Sequence, residues 1–162
     1  MAPPRVNGSF LVSKSEQRER VERLEEEIKA LPQTIVEMEH HIHGGIYTRT
    51  GKVPAGRVFT GVTHRKDHIN IVVGDVTILG DGGPIRLTGT SIFECQAGTK
   101  RVAFTHADTL WTTIFRTDLT DLHEIEDEIA EEPSELQTRK VEKWLSLDQS
   151  QRPSLEALSA DC

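Results

Sequence analysis

Between residues 46 and 116 short β-branched runs alternate with glycine-containing breaks, and on either side the apolar residues fall at helical spacing. From Ser13 to Leu31 the stripe is Val21, Leu24, Ile28 and Leu31, set in a mixed-sign polar face, which predicts an amphipathic helix ended by Pro32. The stripe is narrow, so it suits packing on the chain's own domain slightly better than pairing with a partner's copy. Gln33 to Thr50 holds His40, His41, Ile42 and His43 before Gly44-Gly45. His41 and His43 would share one face of a strand, and a polar strand edge explains them more simply than a metal site.

The runs after Ile46 read as strands: 46–49, 57–62, 68–73, 76–79, 85–87, 91–94, 101–105 and 110–115. Turn signals separate them at Pro54-Ala55-Gly56, Gly74-Asp75, Asp81-Gly82, Gly89 and Ala97-Gly98. Many short strands without strand–helix alternation predict an all-β core. After Thr117 the chain turns acidic, although Leu119, Leu122, Ile125 and Ile129 keep a helical rhythm. A solvated helix face accounts for those acids. Ser134-Glu135-Leu136-Gln137 resembles a capping box opening a further helix, and Pro153 to Ala160 predicts a last short one. The domain reading is therefore a flexible arm at 1–13, a helical extension and lead-in at 14–45, a β-barrel at 46–116, and an acidic helical extension at 117–162.

Composition narrows the function. The 162 residues carry a formal net charge of −7, which argues against nucleic acid as a main partner because phosphate neutralisation needs clustered Lys and Arg. Mean hydropathy is −0.42, and no apolar run is long enough to span a membrane. Two cysteines, Cys95 and Cys162, make no disulfide framework. Together these features predict a cytoplasmic protein, in a host cytoplasm or a virion if the chain is viral. The short helical stripe and exposed strand edges predict a homo-oligomer.

The order of strands and motifs resembles a cupin, the double-stranded β-barrel of jelly-roll type, over about Tyr47 to Arg116. Ile69-Asn70-Ile71-Val72-Val73-Gly74-Asp75-Val76 matches the hydrophobic strand and turn that close the first cupin motif. His64 falls at the second histidine, His68 near the glutamate position with Asp67 as the off-by-one alternative, and Val62 at the first histidine slot. In the second motif the turn is Gln96-Ala97-Gly98, the histidine slot holds Arg101, and a histidine arrives later at His106. The passage is also similar to small cupin-like proteins of tailed bacteriophages. The resemblance implies a polar barrel pocket for a small molecule, with two versions left open. In one, His64, His68 and His106 hold a divalent transition metal (Zn, Fe, Mn or Ni). In the other, Arg101 fills the centre and grips a small anion, with Lys100, Asn70 and Trp111 lining the site. Catalysis, ligand sequestration and a structural or assembly role all remain compatible with this pattern, although no nucleophile elbow supports nucleophilic catalysis. Phe104 and Cys95 are expected in the core.

Overall fold

A computed structural model describes residues 15–31, 33–80, 83–148 and 150–151. The expected arm at 1–13, the Pro32 stop, the Asp81-Gly82 turn and the short helix at 153–160 lie outside the described residues. A helix, α1 (Ser15–Lys29), precedes seven strands: β1 (Glu37–His43), β2 (Ile46–Val53), β3 (Val58–Thr60), β4 (His68–Gly80), β5 (Gly83–Cys95), β6 (Val102–Thr105) and β7 (Thr109–Arg116). Helices α2 (Leu122–Ile129) and α3 (Gln137–Ser146) follow, with a 3-10 turn at Pro133–Glu135 between them.

All pairings are antiparallel, in the order β1-β2-β7-β4-β6-β3, with β5 on β4. Strand β4 spans thirteen residues and pairs with β5 along its length, from His68↔Cys95 to Gly80↔Gly83. Its other edge is divided: Ile69 to Val73 pair with β7, and Val76 to Leu79 pair with β6. The sheet therefore forks at Gly74 and curls into a half barrel.

Gly74 and Gly89 act as bends rather than the turns expected from the sequence. They sit opposite each other in the β4–β5 ladder at φ 153° and 72°, so the ribbon bends without breaking. A Cβ on Gly74 would fall 2.4 Å from Thr109 Oγ1 and 2.9 Å from Thr109 Cα. The β6–β7 connection thus crosses directly over the bend, and the His106 N–H donates to the Asp75 carbonyl at 2.7 Å.

The sheet begins at Glu37 rather than 46. Gly44 and Gly45, at φ 58° and 77°, close a two-residue hairpin that adds β1 to β2, as a type I′ turn favours. The polar alternation of β1, Glu-Met-Glu-His-His-Ile-His, hides this strand in a lead-in. Two core clusters form: Val72, Val76, Ile78, Phe93 and Ala103 inside the bend, and Tyr47, Phe115, Ile125, Ile129, Ala130 and Leu136 at the end closed by α2. Of the stripe, Val21 is buried and α1 packs on β3, Leu24 and Ile28 are half-buried, and Leu31, past the helix end, is 57% exposed.

Two expectations about the C-terminal segment are corrected. The acidic run is not wholly a solvated face, because Glu126 is fully buried and accepts from Arg139 Nε at 2.7 Å. Helix rotation places Glu126 beside Ile125 and Ile129 on the packed side. No capping box forms, since Leu136 is the residue flanking α3 and makes no side-chain cap bond; Ser134 is taken up by the 3-10 turn forced by Pro133. Among the described residues no helix is long and apolar enough to cross a membrane.

The bend generates a prediction. Gly74→Ala should destabilise the fold by on the order of 3 kcal/mol, because strained backbone and a backbone-level clash coincide. A urea denaturation midpoint indistinguishable from that of the parent protein would show that β6–β7 does not cross there.

Candidate functional site: a donor-lined barrel cavity

Strand parity decides which side chains enter the barrel. On β2 these are Tyr47, Arg49, Gly51 and Val53; on β7, Thr109, Trp111, Thr113 and Phe115; on β4, His68, Asn70 and Val72. Cross-strand pairing aligns Arg49, Thr113, Asn70 and Phe93 in one row. Arg101, just before β6, reaches over Phe93 with its guanidinium carbon 5.8 Å from the ring centroid, and its Nη1 donates to Cys95 Sγ at 2.9 Å. Arg49, Thr113 and Asn70 of this row, with Arg101, border a cavity of about 590 Å³ that Arg57, His64 and His68 also line, while Phe93 is packed in the core.

Asn70 is 2% exposed. Its Oδ1 accepts from Trp111 Nε1 at 2.9 Å and from Thr113 Oγ1 at 3.1 Å. Indole N–H can only donate, so this bond fixes which end of the amide is oxygen. The Nδ2 group is left with two donors that no described residue accepts, and it is not sealed from the cavity. Arg49 stands at the other end of the row. Among the described residues it has no hydrogen-bond or ion-pair partner. Burial pulls its pKa below the ordinary value, while Tyr47 and Glu126 act in the opposite direction; Glu126 is already held by Arg139. A guanidinium remains charged in such a setting, so Arg49 brings to the cavity wall a positive charge that no carboxylate of the described residues pairs.

The two histidines are neutral for a related reason. Burial lowers the His64 pKa to about 3, helped by His68 and Arg49, against a hydrogen bond to the Ile129 carbonyl. His64 Nδ1 is buried without a hydrogen-bond partner among the described residues. His68 packs edge-on to His64 with ring centroids 4.8 Å apart. Its pKa is lowered mainly by burial and further by Arg101, although its Nδ1–H donates to the Lys66 carbonyl at 3.0 Å.

The remaining predicted site residues part company. Trp111 lines the cavity, edge-on to Phe59 and Phe93 at 5.7 and 6.0 Å. Lys100 does not line it: one residue from Arg101, it turns to the opposite side and pairs with Glu25 of α1 at 2.6 Å. His106 is exposed, bonds Thr77 Oγ1 at 2.8 Å and stacks edge-on against Phe104. It shares the parity of Phe104, which is itself 40% exposed on the outer face of β6 rather than in the core. Cys95 is buried as expected. His41 and His43 lie exposed on the outer face of β1, while His40 turns inward and bonds the Tyr47 hydroxyl at 2.9 Å. Arg49 is the residue the sequence reading passes over; its signal is the alternation Tyr47, Arg49, Gly51, Val53.

The donor set does not fit a metal ion. Two neighbouring imidazoles offer lone pairs, yet His106 is elsewhere, and among the described residues no group of three or more His, Cys, Asp or Glu is placed to hold one. Arg49 and Arg101, which disfavour protonation of His64 and His68, oppose a cation by the same electrostatics. The acids at the rim, Glu25 and Glu135, are paired with Lys100 and Lys140.

A titration follows from the buried imidazole. In the unfolded chain His64 protonates near its ordinary value, about 6.5. In the fold it stays neutral to about pH 3. The folded state therefore binds fewer protons, and stability falls with acidification between those limits by about 1.4 kcal/mol per pH unit. Comparing denaturation of the parent protein and His64→Asn from pH 7 to 4 should show the steeper loss in the parent. Imidazole NMR titrating His64 near 6.5 would contradict its burial.

Comparison with known proteins adds likenesses of shape. No family model matches the chain, and no curated protein matches it. Among solved structures, KdgF from Halomonas sp. is 21% identical, covering 52% of this chain and 82% of its own, with a TM-score of 0.45. A cupin superfamily protein from Desulfitobacterium hafniense is 12% identical over 53% of this chain and 81% of its own, at 0.44. A cupin-2 domain protein from Shewanella frigidimarina is 14% identical over 57% and 91%, at 0.42. The architecture given above rests on strand order and register, independently of these likenesses.

Proposed function

We propose that this cupin-like barrel binds a small anionic molecule in its cavity. The observation that carries the reading is Asn70: its oxygen is saturated by Trp111 and Thr113, and no group of the described residues accepts from its amide donors on the cavity side. Arg49, which has no ion-pair partner among the described residues, adds a charge-assisted donor on the same wall. A carboxylate or phosphate supplies the acceptor oxygens and negative charge that such a wall lacks, and a guanidinium can grip either through two parallel bonds. Phe59 and Trp111 give the apolar remainder of a ligand a surface to cover.

Turnover would need a proton acceptor, and the neutral rings of His64 and His68 are the candidates. The metal-dependent version is disfavoured by the donor set. The alternative is a non-catalytic assembly protein of viral type whose helices make the contacts; against it, α1 buries Val21 and packs on β3 of its own chain.

Calorimetric titration with inorganic phosphate, malonate and citrate tests the proposal. At least one should bind, more weakly as salt rises. Arg49→Ala should weaken binding tenfold or more. Asn70→Asp keeps the acceptor for Trp111 and Thr113 but replaces the donors by negative charge, and should abolish binding. Absence of binding across the panel, or affinity indifferent to both substitutions, would overturn the reading, as would tight zinc binding that depends on His64 and His68.

A further inference from the structure

The sheet has three free or partly free edges, and they differ. Strand β3 is three residues long and has α1 packed on it. Strand β5 opens with Gly83-Pro84 and bends at Gly89, φ 72°; Pro and a bend both discourage pairing. Strand β1 is a continuous run of seven residues that, among the described residues, is paired on one side, with β2.

The hairpin turn fixes which backbone groups β1 leaves open. His43 and Ile46 flank the two-residue turn, so they form the hydrogen-bonded pair that closes it. Alternation then directs the N–H and C=O groups of Glu37, Glu39, His41 and His43 toward β2, and those of Met38, His40 and Ile42 toward the free edge. Antiparallel self-pairing about a two-fold axis at His40 sets Met38 against Ile42 of a second copy and His40 against His40. These are the groups that point outward, so register and hydrogen-bond phase agree.

The same axis matches the exposed side chains. Glu37, Glu39, His41 and His43 all lie on the outer face of β1. A two-fold at His40 places Glu39 beside His41 of the second copy and Glu37 beside His43, an acid against an imidazole at every outer position. Within one chain His41 Nε2 bonds Glu39 Oε1 at 3.1 Å, and Glu37 pairs with Lys52 at 2.8 Å. Imidazole N–H donates to carboxylate whether or not the ring is charged. A shift of the pairing by two residues would set His41 against His41 or Glu39 against Glu39 at the axis and reduce the acid–imidazole pairs from four to two.

We infer that β1 joins a second copy of this chain edge to edge, in antiparallel register about His40, so that the sheet runs continuously through an isologous dimer. Neither the cavity nor its ligand is involved. Sedimentation of the full chain at about 50 μM should give a dimer. His41→Glu places Glu39 against a second carboxylate and should raise the dimer dissociation constant at least tenfold. The exchange Glu39→His with His41→Glu preserves every cross-copy pair and should restore the dimer. Both positions are exposed, and far-ultraviolet circular dichroism checks that the variants fold. A monomeric parent protein, a dimer indifferent to His41→Glu, or failure of the exchange to restore pairing would each overturn the inference.

Discussion

A single strand shared by two halves of a sheet sets the architecture. Strand β4 holds β5 along one edge and divides its other edge between β7 and β6. That division works only where the ribbon can bend, at opposed Gly74 and Gly89. Because β4 stays continuous through the bend, its parity is unbroken: His68, Asn70, Val72, Val76 and Ile78 all face inward. The apolar members build the core beyond the bend, and the polar members open the cavity before it.

Charge follows from the same geometry. Arg49 enters the barrel in the same row as Thr113 and Asn70, where burial lowers its pKa and no carboxylate of the described residues pairs with it. A buried cation without a partner is costly. Glu126 offsets part of that cost at longer range, and an anion in the cavity would offset more. The acids that dominate the surface are kept at the rim by their own lysines, with Glu25 of α1 held by Lys100 and by the Thr60 hydroxyl. The helix therefore closes one side of the barrel and keeps its carboxylate on Lys100, away from the guanidinium groups. Neutral His64 and His68 are a further consequence of the same desolvated positive field.

Much of this was legible from alternation alone. The strand density after Ile46, the turn at Ala97-Gly98, the shared face of His68 and Asn70, and the inward Val21 of the α1 stripe all follow from period and turn chemistry. What escaped depends on relations between distant segments. Gly74 and Gly89 read as turns because the sequence does not show that they oppose each other. His106 and Lys100 are near the cavity in sequence and outside it in space, since one residue of strand parity reverses a side chain. Glu126 reads as solvated until α2 is seen to cap the barrel with Ile125 and Ile129. Arg49 was within reach, because its neighbours Tyr47, Gly51 and Val53 mark the inner face, but a lone arginine in a threonine-rich strand carries no motif.

The central claim is that the cavity is a site for negative charge built around Asn70 and Arg49. Anomalous diffraction from crystals soaked in bromide, with a parallel zinc soak, reads that claim directly. A bromide peak within hydrogen-bond distance of Asn70 Nδ2 and the Arg49 guanidinium, with no zinc in the cavity, is the predicted result. Zinc bound between His64 and His68, with bromide absent from the cavity, would contradict it.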